Sequence, residues 1–264
     1  MLPMRLRCDR IALDCCAGMA ASTAVEIAAN IEAVRSRIHR AAVHAGRDPS
    51  SIKLVAVSKA VPAHKVFEAW RSGITDFGEN YVQEAHDKIS TINQLIGEYG
   101  AASGQSQPYW HFVGHLQTNK VKACLSLFNM VQCLDRLVLA QELHRRASQM
   151  GVRVPVLVQV NTSAEASKHG LSPDELVPFL EKASSLEGIQ ALGLMTIGRL
   201  TGEPEEARPD FRLLASLAQK ARSAHVPGVE MRWLSMGMSA DFEVAIQEGA
   251  NMVRIGTAIF GPRH

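Results

Sequence analysis

A lysine closes the apolar run KLVAVSK near the start of the chain. Leu54, Val55 and Val57 predict a buried strand, so Lys59 would lie at its carboxyl end beside an apolar core. Burial removes hydration from an ammonium group and favours the neutral amine, which can condense with an aldehyde. Lys59 is therefore a candidate Schiff-base lysine, and an ion pair with a carboxylate such as Glu79 is the alternative explanation of its position.

The carboxyl-terminal part of the chain contains small residues and a serine suited to binding a phosphate. Ser239 is predicted to begin a helix, where its hydroxyl and exposed backbone N–H groups could hold a dianion. Gly256 permits close approach of the backbone, and Thr257 follows it. An ordinary N-cap is the alternative for Ser239, and Asp241 and Glu243 favour it because they would repel a phosphate.

An arginine and two histidines are the other polar residues expected near strand ends. Arg254 lies two residues before Gly256, so both side-chain positions face the same way, and an inward arginine needs a carboxylate or a ligand ring nitrogen as partner. His111 and His115 differ by an even number and are predicted on one strand face. No third ligand accompanies them, so hydrogen bonding is predicted there and no metal site.

Short apolar runs that alternate with helical patterns must position these residues. This rhythm predicts an α/β protein with a single closed (β/α)8 TIM-type barrel, and a doubly wound open sheet is the alternative. The predicted strands are KLVAVSK, TDFGEN, YWHFVG, NMVQCLD, VPVLVQVN, ALGLMTIG, RWLSMG and NMVRIGTAIFG.

The two ends of the chain depart from the simplest barrel. Thr23 and Glu26 form a candidate capping box at the start of an extra helix, residues 23 to 45. This helix is expected to cover the gap behind the eighth strand, because the chain stops three residues after Gly261 and leaves no room for a helix there. Residues 1–22 are predicted to be a disordered extension, and a mitochondrial or plastid presequence is the alternative.

Composition excludes several classes of protein. The formal net charge of +2 and the absence of a block of like charges argue against a nucleic-acid or membrane surface. The five cysteines are odd in number and lack a C-x-x-C spacing, which favours a reduced, cytoplasmic location over a disulfide framework or a zinc site. The barrel domain is predicted to span residues 23–264.

Several of these stretches, taken together, resemble one family. LVAVSK, FGENYVQE, WHFVGHLQTNK, VQVNTSAEASKHG, GLMTIG, SMGMSADFEVAI and VRIGTAIFG occur in order between about Ser51 and Gly261. They are similar to motifs of the pyridoxal phosphate homeostasis proteins, the single-domain relatives of the alanine racemase barrel. Seven ordered motifs are far more specific than any one of them.

The resemblance implies a cofactor site for pyridoxal 5′-phosphate (PLP). It implies that Lys59 forms the internal aldimine, that Arg254 meets the pyridine nitrogen, and that Ser239 with the backbone of Gly256 and Thr257 holds the phosphate. It also implies four further residues around the cofactor: Asn80, Asn161, Met195 and Met236.

The resemblance implies a carrier that serves vitamin B6 homeostasis and delivers PLP to PLP-dependent apoenzymes, as a monomer or weak dimer. An amino-acid racemase or another PLP-dependent enzyme is the alternative, and a phosphosugar-binding barrel without PLP is a third. Alanine racemases resemble one another in taking a second base, a tyrosine, from a carboxyl-terminal β domain, which this chain is expected to lack. Among its own residues, His111 or a water would have to replace that base.

Overall fold

Eight parallel strands form a closed barrel in the computed structural model, which describes residues 5–99, 104–165, 168–199 and 202–262. The strands pair in chain order, and β1 closes the barrel against β8 with Leu54 opposite Val253. The strands are β1 Lys53–Val57, β2 Asp76–Glu79, β3 Tyr109–Phe112, β4 Met130–Leu134, β5 Val154–Gln159, β6 Ile189–Met195, β7 Trp233–Ser235 and β8 Met252–Ile255. The closed barrel is confirmed, and the open sheet is excluded.

Helices follow the strands and cover the outside of the barrel. They are α1 Arg5–His44, α2 Ala63–Arg71, α3 Val82–Tyr99, α4 Val121–Leu125, α5 Leu137–Met150, α6 Leu176–Ala183, α7 Arg208–Ser223, α8 Phe242–Gln247 and α9 Thr257–Phe260. Within the described ranges, no helix is both long and apolar enough to cross a membrane.

The segment after β8 differs from the prediction of a strand that continues to Gly261. The chain turns at Gly256, whose carbonyl accepts the N–H groups of Ile259 and Phe260, so Thr257–Phe260 forms a short helix. The expectation that no helix would follow the eighth strand was therefore wrong. As a result, the backbone N–H groups at the start of this helical turn lie at the carboxyl end of the barrel.

Helix α1 covers the barrel beside α8 and α9, as predicted. Its apolar face, including Ile31, is buried, and Asn30 Nδ2 donates to the carbonyl of Ile259 at 3.0 Å. Two hydrogen bonds of 2.9 and 2.7 Å join the Arg37 guanidinium to the Glu243 carboxylate on α8. These contacts join α1 to α8 and to α9.

The start of α1 differs from the predicted capping box. The backbone is helical from Arg5, so Thr23 lies inside the helix and does not cap it. Alanines at positions 17, 20, 21 and 24 favour this continuation because alanine has the highest helix propensity. Residues 1–4 and the side chains up to residue 21 lie outside the described part of the chain, and the role predicted for residues 1–22 stays a prediction.

Candidate functional site

A cavity of about 430 Å³ opens at the carboxyl end of the barrel. It brings together six of the residues predicted for the cofactor site: Lys59, Asn80, Ser239, Arg254, Gly256 and Thr257. Five further residues complete the lining: Val57, Val113, Ile197, Met238 and Ala240. A volume of this size, with a few polar groups on an apolar lining, is typical of a small-molecule site.

Three of the predicted site residues do not line this cavity. Met195 and Met236 are fully buried in the core. Asn161 donates from Nδ2 to the carbonyl of Glu165 at 2.9 Å and so holds the loop after β5. Ile197 and Met238, each two positions further along the chain than a predicted methionine, line the cavity instead.

Lys59 lies on a tight turn directly after β1. It is half-buried, and the next residue, Ala60, has a left-handed φ of 57°. The N–H of Ala60 donates to Glu84 Oε1 at 2.6 Å, and the N–H of Val61 donates to the carbonyl of Ser58 at 3.0 Å. A non-glycine residue with this φ needs support from its surroundings, and these hydrogen bonds provide it.

A buried ion pair lies beneath this turn. Lys88 Nζ donates to Glu79 Oε1 at 2.6 Å, to the carbonyl of Ser58 at 2.5 Å and to Glu84 Oε1 at 2.8 Å. Burial raises the pKa of Glu79, while Lys88 and the Ser58 hydroxyl oppose that shift. Sequence reasoning missed Lys88, although its spacing of four residues from Glu84 on one helix was a usable signal.

Ser239 meets the backbone of the segment after β8. Its hydroxyl accepts the N–H groups of Gly256 and Ala258, each at 3.3 Å. Ser239 is not the N-cap of α8, because that helix begins at Phe242 and Asp241 occupies the cap position. The serine hydroxyl and two backbone N–H groups therefore converge at one edge of the cavity.

The two acidic residues that argued against a phosphate here each have partners within the protein. Glu243 pairs with Arg37 on the outer side of the barrel at 2.7 Å. Asp241 Oδ1 accepts the backbone N–H of Met238 at 2.6 Å. Burial raises the pKa of Asp241, while that N–H and the charge of Arg254 oppose the shift.

Arg254 is buried in β8 and points into the barrel. Its Nη1 donates to Ser235 Oγ and its Nη2 to the carbonyl of Thr196, each at 2.7 Å. Burial lowers the pKa of Arg254 to about 10, and the charge of Asp241 opposes this. The guanidinium thus stays charged near neutral pH and is held by a hydroxyl and a carbonyl.

The two histidines of β3 and its loop do not lie on one strand face, contrary to the prediction. His111 lies inside the barrel, whereas the strand ends at Phe112 and the alternation of faces no longer applies to His115. His115 stacks on His169 with ring centroids 3.9 Å apart, and Asp135 lies 3.7 Å from its Nδ1. The expectation that no further residue of a metal-ligand type accompanies the histidines was wrong, because His169 and Asp135 both lie beside His115. Asp135, however, already pairs with Arg136 at 2.5 Å.

Asp76 is the buried partner of His111 on the neighbouring strand. His111 Nε2 lies 3.0 Å from Asp76 Oδ1, and Lys53 Nζ donates to the same oxygen at 2.8 Å. Burial alone would raise the pKa of Asp76, but hydrogen bonds from His111, Lys53 and Thr75 lower it to about 2. The carboxylate is therefore charged at neutral pH.

An acid titration of stability should report this carboxylate. Its pKa of about 2 lies below the ordinary value of 3.8, so its contribution is present above the ordinary value and is lost as pH falls toward about 2. We expect Asp76→Asn to lower the free energy of unfolding by about 2 kcal/mol at neutral pH and less in acid. Denaturant unfolding checks this, with Asp87→Asn, whose side chain is 91% exposed, as control. A constant difference between Asp76→Asn and wild type across that pH range would contradict it.

Comparisons with known proteins agree with this geometry. Residues 27–264 match the family described as alanine racemase, N-terminal domain. A pyridoxal phosphate homeostasis protein of Aquifex aeolicus is 40% identical over 230 residues, which are 87% of this chain and 95% of that protein. The human protein of the same name is 40% identical over 243 residues, 88% of this chain and 85% of that protein.

Solved structures show the same barrel. PipY of Synechococcus elongatus, solved with PLP bound, superposes with a TM-score of 0.76 at 32% identity over 89% of this chain and all of that one. An alanine racemase of Clostridium difficile gives a TM-score of 0.67 at 17% identity, over 90% of this chain and 59% of the racemase. At that identity the racemase supports the fold alone.

Proposed function

We propose that this chain, which belongs to the family of the pyridoxal phosphate homeostasis proteins, binds PLP in the cavity at the carboxyl end of its barrel. One observation carries the proposal. A lysine, a hydroxyl with converging backbone N–H groups, and a buried arginine line a single cavity, although their positions extend from Lys59 to Thr257. PLP needs an amine for its aldehyde, donors for its phosphate and a partner for its ring nitrogen.

The edge of the cavity at Ser239 fits the phosphate. The N–H groups of Gly256 and Ala258 already donate to an oxygen at this edge, the Ser239 hydroxyl. A phosphate oxygen is a stronger acceptor than a hydroxyl, and the serine can turn its own O–H toward it. The hydroxyl of Thr257 and the charge of Arg254 add to the same lining.

Lys59 is the proposed covalent anchor. Its neutral amine adds to the aldehyde carbon of PLP, and water leaves as the C=N bond forms, so release is the hydrolysis of that bond. A reversible bond of this kind retains a reactive aldehyde without consuming it. The supported turn at Ala60 holds the lysine at the carboxyl end of β1.

The lining favours a carrier over an enzyme. Arginine only donates hydrogen bonds, so Arg254 would leave the pyridine nitrogen unprotonated and limit electron withdrawal by the ring. Racemisation needs a proton donor and acceptor on both faces of a substrate, and Lys59 and Arg254 are the only described cavity-lining residues with ionisable side chains. We therefore propose that the protein retains PLP and supplies it to PLP-dependent apoenzymes. Its cytoplasmic location and its monomeric or weakly dimeric state stay predictions.

Binding of PLP and of pyridoxal, which lacks the phosphate, tests the site directly. We expect Ser239→Ala to weaken PLP binding about tenfold, because a hydrogen bond to a charged group is lost, and to leave pyridoxal binding unchanged. Absorption titrations measure both. Ser216→Ala, on the exposed face of α7, is the matched control. Equal losses for both ligands would place the phosphate elsewhere.

Transfer and turnover assays separate the carrier from the enzyme. Loaded protein should restore activity to a PLP-dependent apoenzyme, and an amino acid in deuterated water should gain no deuterium at its α carbon. Catalytic deuterium exchange that depends on Lys59 would contradict the carrier and support the racemase.

A further inference from the structure

A continuous chain of buried polar side chains leads from the cavity into the barrel. Arg254 Nη1 donates to Ser235 Oγ at 2.7 Å, and Ser235 Oγ donates to Gln132 Oε1 at 2.7 Å. Gln132 Nε2 lies 2.9 Å from His111 Nδ1, and His111 Nε2 lies 3.0 Å from Asp76 Oδ1. The chain thus crosses from β8 to β2 through side chains of β7, β4 and β3.

This row of hydrogen-bonded side chains ends near the opposite mouth of the barrel. Lys53, the first residue of β1, donates from Nζ to Asp76 Oδ1 at 2.8 Å. All five members from Arg254 to Asp76 are at most 5% exposed. Buried polar groups on this scale cost stability unless each is satisfied, so a complete network in an apolar barrel calls for an explanation.

The chemistry of its ends fixes the direction of every hydrogen bond. Arginine has no acceptor, and an ionised carboxylate has no donor. Asp76 therefore needs a proton on His111 Nε2, and the neutral ring then accepts at Nδ1 from the Gln132 amide. The remaining Gln132 oxygen accepts from the Ser235 hydroxyl, whose lone pair is left for Arg254. Burial lowers the pKa of His111, which keeps the ring neutral as this scheme requires.

We propose that Ser235, Gln132 and His111 are positioning residues that hold the Arg254 guanidinium where it can donate a hydrogen bond to the ring nitrogen of PLP. The proposal rests on the proposed function for Arg254 itself. The Ser235 hydroxyl cannot turn away to donate elsewhere, because its proton is committed to Gln132. Together with the Thr196 carbonyl, it fixes two N–H groups of the guanidinium, which leaves the others for the cavity that Arg254 lines.

The tautomer of His111 tests the direction without any cofactor. Nitrogen-15 NMR of the full-length protein should show His111 neutral, protonated at Nε2 and unprotonated at Nδ1, at neutral pH. A ring protonated at Nδ1, or a charged ring, would reverse the direction of the hydrogen bond between Gln132 and His111. Either result would overturn the proposed order of donors and acceptors. This result is independent of whether PLP binds.

Ring-nitrogen dependence tests the positioning role. We expect Gln132→Leu to weaken PLP binding about tenfold, because the acceptor of the Ser235 proton is lost. Deazapyridoxal 5′-phosphate carries a CH in place of the ring nitrogen, so its binding should change less than twofold in the same variant. Gln159→Leu, which changes a buried glutamine outside the chain, should affect both ligands equally or not at all.

Three outcomes of the ligand measurements are distinguishable. If Gln132→Leu binds PLP and the deaza analogue with equal losses of affinity, the hydrogen-bonded side chains have only a structural role and the proposal is overturned. Unchanged PLP binding in a folded Gln132→Leu would overturn it as well. Failure of the wild-type protein to bind PLP would refute the proposed function, while the His111 tautomer would still decide the direction. If Gln132→Leu does not fold, Ser235→Ala is measured with the same two ligands.

Discussion

Lys59→Ala is expected to abolish covalent retention of PLP. The alanine methyl group cannot form a C=N bond, so borohydride treatment should leave no cofactor attached at this site. Non-covalent binding should persist at reduced affinity, because Ser239, Arg254 and the N–H groups of Gly256 and Ala258 stay in place. Absorption spectra before and after gel filtration, with and without borohydride, measure both effects.

A surface lysine provides the control for this experiment. Lys122→Ala changes an exposed residue on α4 and should retain the cofactor as wild type does. Unfolding curves of Lys59→Ala should stay close to wild type, since Lys59 is only half-buried on a turn whose backbone hydrogen bonds remain. Retention of a borohydride-stable adduct by folded Lys59→Ala would show that another lysine is the anchor.

Lys88→Met is expected to cause the largest loss of stability, about 3–5 kcal/mol in the free energy of unfolding, because it leaves a buried charge without its partner. Glu79 is fully buried, and Lys88 Nζ contacts its Oε1 at 2.6 Å. The other carboxylate oxygen, Oε2, has no hydrogen-bond partner in the described part of the chain, so little else would compensate the charge. Denaturant unfolding of Lys88→Met beside wild type measures the loss.

The loss should depend on pH in a defined direction. Burial already raises the pKa of Glu79, and removal of the Lys88 cation should raise it further. Between the unfolded and the raised folded pKa the native state holds the extra proton, so stability falls as pH rises through that range. The deficit of Lys88→Met should therefore be largest at alkaline pH and shrink in mild acid, where Glu79 is protonated.

Two further variants test the cause of this effect. Lys220→Met, on the exposed face of α7, should stay within about 0.5 kcal/mol of wild type. The double variant Lys88→Met with Glu79→Gln should recover much of the loss, because the unpaired charge is gone. A deficit of Lys88→Met that is independent of pH, with no recovery in the double variant, would assign it to lost packing instead.

The barrel could be predicted because its signal is local and repeated. Each strand is a short apolar run such as Val154–Gln159, buried because helices cover the parallel sheet on the outside. The carboxyl ends of such strands meet at one mouth, which is why Lys59, Asn80 and Arg254 could be expected together from sequence alone.

Details of the site depend on where each strand stops. Met195 is the last residue of β6 and points into the core, and Ile197 two residues later lines the cavity. The same offset separates Met236 from Met238. The resemblance implied Met195 and Met236 near the cofactor, whereas Ile197 and Met238 line the cavity in the structure. A run of apolar residues does not reveal its last ladder hydrogen bond, so its sequence does not show which of its residues reach the cavity.

The polar chain inside the barrel could not be predicted from spacing. Asp76, His111, Gln132 and Ser235 lie on four different strands, and each alone is an ordinary polar residue in an apolar run. They meet because closure of the barrel turns alternate side chains of every strand toward one axis. The offset between neighbouring strands, which decides which pairs touch, is visible only in three dimensions.

Peptide mapping by mass spectrometry of the wild-type protein, incubated with PLP and reduced with borohydride, tests the central claim most directly. The account predicts one modified peptide per chain, with reduced pyridoxyl phosphate on Lys59. A modification confined to Lys53, Lys88, Lys168 or another lysine, or no modification despite saturating PLP, would contradict it.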